Sequence, residues 1–193
     1  MLDRSSRRSR RTFIWVVTGL ALLVVATCFA AAGDVLEGAA EATRYSARFS
    51  GLVLAAALIA RAPRPVAWSR RRTELTLAFV AAHGVHYATV VLRALLEPDS
   101  KLRSFTVSVV VVVLLGLLLV AAVAGTARAT SLTGSRANAV AFYVAWTVLA
   151  LVEASRASRY LASAVVLGAL VAALLWRIAA GLAQGHDAPA LRT

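Results

Sequence analysis

The feature that most constrains this chain is a series of apolar stretches that run on without a single charge. Phe13–Ala32, Ser104–Thr126 and Leu161–Trp176 contain no Asp, Glu, Lys or Arg at all. A helix that crosses hydrocarbon needs about 20 predominantly apolar residues, because each residue advances it by only about 1.5 Å. The 193 residues are 60% hydrophobic and the mean hydropathy is +0.77. A soluble domain uses about 45–50% apolar residues, so this excess has no core to hide in. In lipid every backbone N–H and C=O must be satisfied within the chain, which leaves helices or closed barrels. The stretches are rich in Ala, Leu and Val and do not alternate with polar residues, so the barrel is rejected. The expected fold class is all-α, a polytopic helical bundle in a membrane.

Gaps between charges delimit six segments: about Phe13–Ala32, Tyr45–Ala62, Thr73–Leu95, Ser104–Thr126, Ala137–Ala154 and Arg159–Ala180. Helix breakers fall between them, at Gly33, Pro63 with Pro65, Pro98 and Gly134. The second and fifth segments are short, and Arg48, near the start of the second, is expected to snorkel to the headgroups. This divides the chain into a basic N-terminal segment (1–12), a six-helix domain (13–181) and a C-terminal tail (182–193), with no separate soluble domain and no internal repeat.

The formal net charge of +12 would suggest nucleic acid on a soluble chain. Here the arginines stand at the ends of apolar runs, where they orient the protein and meet anionic lipid, so the lipid bilayer is the expected partner and nucleic acid is not. With six spans and an inside N-terminus, the inside segments hold Arg4, Arg7, Arg8, Arg10, Arg11, Arg61, Arg64, Arg70, Arg71, Arg72, Arg128, Arg136, Arg177 and Arg192. The outside segments hold half as many: Arg44, Arg48, Arg93, Lys101, Arg103, Arg156 and Arg159. The bias predicts the inner (plasma) membrane with both termini in the cytoplasm. A rival reading exists at the N-terminus. Ser9-Arg10-Arg11-Thr12-Phe13-Ile14 resembles a twin-arginine export signal, and Ala30-Ala31-Ala32 resembles a cleavage site; removal would leave five spans. The five downstream spans favour an anchored first helix. The single cysteine, Cys28, can form no internal disulfide.

Ionisable groups at membrane depth are where chemistry is expected. His83 and His86 are three residues apart on the third segment and share nearly one face. Arg93 returns to that face seven residues later, about 10 Å along the axis. A neutral imidazole can ligate iron, a charged one is costly in lipid, and an arginine at that distance could hold a propionate, so the set suits haem b. The alternative is that each histidine only hydrogen-bonds to a neighbouring helix. A second axial histidine is not supplied elsewhere, since His186 falls in the polar tail. Trp15, Trp68 and Trp176 sit near segment ends as interfacial anchors do, and Ala164, Gly168 and Ala172 form a small-residue series suited to helix packing.

Pro63, the run Arg70-Arg71-Arg72, Leu75-Thr76-Leu77 and His86 resemble the ferric-reductase-like transmembrane domain. The nearest likeness is to the bacterial branch containing the haem-binding membrane subunit of the periplasmic methionine sulfoxide reductase system. Thr130-Ser131 after the fourth segment, and Tyr143 and Trp146 on the fifth, add to the likeness, which covers roughly residues 45–180. The resemblance implies a membrane electron carrier with His86 as haem ligand and metal-binding residue. It also implies that the fifth segment supplies histidines, and there the chain departs: Asn138 stands at the first of those positions and Leu151-Val152-Glu153 near the second. The implied cofactor-binding set is His86, His83, Arg93 and Glu153, the last with Arg156 one turn away as its expected ion-pair partner. No nucleotide or flavin motif is present, so electrons would come from a redox partner protein or quinone. Two other readings stay open: a non-enzymatic scaffold that binds a partner without haem, and a small transporter. All four prolines lie outside the spans, which counts against transport.

Overall fold

A computed structural model describes residues 4–60, 71–97 and 136–186. They form five helices: α1 (Arg4–Ala31), α2 (Val35–Ala60), α3 (Arg72–Leu96), α4 (Arg136–Ala157) and α5 (Leu161–His186). The protein is a helical bundle, and three of its helices are long and apolar enough to cross a bilayer: Thr12–Ala31 in α1, Arg72–Leu96 in α3, and Leu161–Leu182 in α5. That makes it a membrane protein. The expected fourth segment, Ser104–Thr126, lies outside the described residues, as do Pro63 and Trp68.

Two helices start well before their apolar runs. α1 begins at Arg4 rather than Phe13, and α2 at Val35 rather than Tyr45. The reason at α2 is a cap. The Glu37 N–H donates to Asp34 Oδ1 at 2.8 Å, and the Glu37 carboxylate reaches back to accept the Gly33 N–H at 3.0 Å. This is a variant of the capping box, and it satisfies donors that a helix start leaves orphaned. The glutamate also favours the positive end of the helix dipole. Charge gaps therefore mark where lipid begins, and caps mark where the helix begins.

α2 is the centre of the bundle and packs against α1, α3, α4 and α5. Its buried face is mostly small: Gly38, Ala39, Ala42, Ala47, Gly51, Ala55 and Ala57. Helices in lipid gain little from hiding apolar surface, so close backbone approach and polar contacts hold them together. At Gly38 the approach is so tight that a Cβ would lie 2.6 Å from Phe29 Cδ1, which only glycine permits. Bulkier core side chains, Leu54, Leu58, Phe79, Phe142 and Leu170, fill the space among α2, α3, α4 and α5. The large apolar residues of α1 and α5, such as Leu22, Leu23, Val165 and Leu175, point outward, as a lipid-facing surface requires. Of the small-residue series on α5, Ala164 is half-buried, Gly168 and Ala172 are exposed, and a Cβ at Gly168 would meet nothing. At Gly168 the series therefore meets no neighbouring helix among the described residues. Trp15 and Trp176 are exposed but lie well inside α1 and α5, about three turns from the nearest helix end, while Trp146 is half-buried and donates its indole N–H to the Leu170 carbonyl at 2.9 Å.

Side-chain contacts fix the directions. Ser46 meets His86 and Ser50 meets His83, so α2 and α3 are antiparallel. Arg48 meets Ser163, and a Cβ on Gly51 would meet Val166, so α2 and α5 are parallel. Trp146 meets Leu170 and Tyr143 meets Arg177, so α4 and α5 are antiparallel. It follows that α3 and α4 point the same way.

Candidate functional site

Two polar clusters lie on different sides of α2. The first is the histidine pair on α3. His83 is 4% exposed and His86 is half-buried, with ring centroids 5.4 Å apart. The 3.6-residue repeat sets both toward α2, where Ser46 and Ser50, one turn apart, meet them. Ser50 Oγ lies 3.0 Å from His83 Nδ1, and Ser46 Oγ lies 3.1 Å from His86 Nδ1. Thr89 joins this network, with its hydroxyl 3.2 Å from Ser46 Oγ and donating to the His86 carbonyl at 2.6 Å. Aromatic rings enclose His83. Phe79 stacks on it at 5.2 Å, and Tyr87 meets it edge-on at 4.6 Å.

The second cluster joins α2, α4 and α5. Arg48 is buried, not snorkelling: it is 8% exposed, and its Nη2 donates to Ser163 Oγ at 3.0 Å. Its guanidinium lies over the rings of Tyr45 at 5.1 Å and Tyr160 at 5.7 Å. Glu153 is 1% exposed, and its Oε2 lies 3.9 Å from Arg48 Nε. Neither carboxylate oxygen has a hydrogen-bond partner among the described residues. The ion-pair partner of Glu153 is therefore Arg48 rather than Arg156 on its own helix, because α2 brings the guanidinium into the interior while Arg156 is exposed.

The four residues singled out from the sequence thus divide. His83 and His86 come together. Arg93 pairs with Glu97 at 3.3 Å near the end of α3, and Glu153 belongs to the second cluster. Asn138 lies in the first turn of α4. Sequence reasoning missed Ser46, Ser50, Thr89, Arg48 and Ser163. One signal was available: Ser46 and Ser50 repeat at helical spacing on a helix otherwise rich in small residues, which is how a polar face against another helix reads.

No group of three or more His, Cys, Asp or Glu side chains close enough to hold a metal ion occurs among the described residues. A groove of about 510 Å³ runs between α1 and α2, lined by residues such as Leu23, Cys28, Glu41 and Tyr45, and neither histidine lines it. The chain matches no protein-family model, no curated protein and no solved structure.

Proposed function

We propose that this protein is a membrane electron carrier of the haem b type, with His86, or His83 beside it, as the residue that would hold the iron. The observation that carries the reading is the histidine pair itself. Each ring is tied through Nδ1 to a serine of α2, so Nε2 is the nitrogen that would take a metal. An axial histidine is ordinarily oriented by a hydrogen bond from its other ring nitrogen, so the arrangement fits a ligand. The likeness of Arg70-Arg71-Arg72, Leu75-Thr76-Leu77 and His86 to the ferric-reductase-like domain supports the same reading. Haem b would supply one-electron chemistry inside the membrane. The chain's own part is to orient the rings, through Ser46 and Ser50, and to enclose His83 with Phe79 and Tyr87. Electrons would reach such a carrier from a partner protein or quinone.

A second reading, a partner-binding scaffold without haem, has its own support. Glu153 is engaged by Arg48, Arg93 by Glu97, and no second axial ligand faces the histidines among the described residues. An absorption spectrum of the protein purified from haem-sufficient cells separates the two. The carrier should show a Soret band, with α and β bands that sharpen on dithionite reduction. A preparation without Soret absorbance would leave the scaffold.

The proposed topology has six spans and both termini in the cytoplasm of a bacterial inner membrane. Because α3 and α4 point the same way, the chain between Leu96 and Arg136 ends on the side of the bundle opposite to where it starts. That supports one further crossing there, and the arginine bias supports the orientation. The turn between α4 and α5, where Ser158 is exposed, then faces outward. With Cys28 replaced, a cysteine at Ser158 should react with an impermeant maleimide on intact cells. Reaction only after permeabilisation would reverse the orientation.

A further inference from the structure

We propose that the groove between α1 and α2 binds a lipophilic amine, an apolar chain or ring system ending in a single ammonium, with Glu37 as the group that meets the charge. The histidine pair does not line this groove, so the site stands whether or not haem is bound.

The groove follows from how the two helices close on each other. α1 and α2 are antiparallel: Phe29 packs on Gly38 close to the turn, and Val17 and Ala21 share a core with Phe49 and Val53 farther in. Beside that line of contact about 510 Å³ stays open. Clefts of roughly 300–1,000 Å³ are those that hold small molecules. Leu23, Val24 and Ala31 give the groove an apolar wall from α1, and Glu37, Glu41 and Tyr45, on successive turns of α2, give it a polar one. Tyr45 closes the inner end, with its ring held under the Arg48 guanidinium at 5.1 Å. A mostly apolar cleft with a few placed polar groups is how ligand sites are built: the apolar surface supplies affinity and the polar groups set orientation.

The charge of the lining selects the occupant. Two carboxylates line the groove and no lysine or arginine does. Glu41 is paired with Arg44 on its own helix. Glu37 has no cation paired with it among the described residues; its Oε2 accepts the Gly33 N–H at 3.0 Å, and Oε1 is the oxygen that would meet an ammonium. The helix dipole stabilises that charge without cancelling it. One negative charge is thus left for the ligand to match, whereas a phosphate would stand against like charge. Position agrees with charge. The apolar span of α1 ends at Ala31, so Glu37 lies where lipid meets water, and the groove runs from there back along the span to Leu23. An amphiphile in a bilayer keeps the same order, its charge at the boundary and its apolar part inward.

Cys28 lines the groove and is the chain's single cysteine, so its thiol reports occupancy. The test follows alkylation of Cys28 by N-ethylmaleimide, read as intact mass, in full-length protein in dodecyl maltoside micelles at neutral pH. Dodecylamine, cationic at that pH, should slow the reaction saturably, and dodecanol and dodecanoate at the same mole fraction should not. Glu37→Gln keeps a carbonyl oxygen to cap α2 and loses only the charge. It should raise the amine concentration for half-protection about fivefold, the scale of one surface ion pair. Native mass spectrometry from the same micelles is the second measurement: the wild-type chain should retain the amine and Glu37→Gln should retain less. Equal protection by dodecanol, or a Glu37→Gln protein that responds as the wild type does, overturns the proposal. So does protection by phosphatidylethanolamine that matches dodecylamine, which would give the groove to a lipid headgroup.

Discussion

Replacing Arg48 with Met is expected to destabilise the bundle by about 3–5 kcal/mol, the cost of removing one partner from a buried ion pair. The loss is large because of what remains. Glu153 is 1% exposed and neither of its oxygens has a hydrogen-bond partner among the described residues, so the guanidinium 3.9 Å away is its compensation. The variant also loses the hydrogen bond to Ser163 and the contacts with the rings of Tyr45 and Tyr160, which tie α2 to α5. The double variant Arg48→Met, Glu153→Leu should recover most of the loss, since an apolar pair of similar volume often does as well as a buried ion pair. Equilibrium unfolding of the wild type, Arg48→Met, Glu153→Leu and the double variant in mixed micelles, followed by far-UV circular dichroism, gives the coupling as a double-mutant cycle. A double variant that is no more stable than Arg48→Met would show that the two side chains do not compensate each other.

Phe79→Ala should cost a similar amount, about 3–5 kcal/mol, by opening a cavity where three helices meet. Phe79 is 0% exposed, stacks on His83 at 5.2 Å and tilts against Phe142 of α4 at 5.3 Å. Its removal therefore strips dispersion contacts from the core and one wall from the histidine ring together. Phe79→Leu, which keeps much of the volume, should cost distinctly less. The same unfolding assay measures both. A Phe79→Ala loss below about 1 kcal/mol would mean that the helices close the gap, which at this packing density they rarely do fully. The comparison also bears on the site, because a His83 ring freed from its stack should show broadened ring resonances in Phe79→Ala and not in Phe79→Leu.

The sequence by itself determined that the protein is helical and lives in a membrane. Charge-free stretches such as Phe13–Ala32 and Leu161–Trp176 admit no other solvent, and the bilayer admits no irregular backbone against it. It determined α3 almost to the residue, Thr73–Leu95 against Arg72–Leu96, because there the apolar run and the helix coincide. It also brought His83 and His86 to one face, since three residues is a local spacing. The tertiary structure alone decided which helix is central. α2 has one of the weakest apolar signals, yet it is the most enclosed, because lipid selects large apolar side chains for the outside of a bundle while close packing selects small and polar ones for the inside. Hydropathy reads the first choice and is blind to the second. Only packing could give Glu153 to Arg48, 105 positions away, rather than to Arg156 on its own helix, and only packing could place Ser50 against His83. Those pairings depend on the order and direction of helices around α2, and a hydrogen bond between helices leaves no periodic mark on either one.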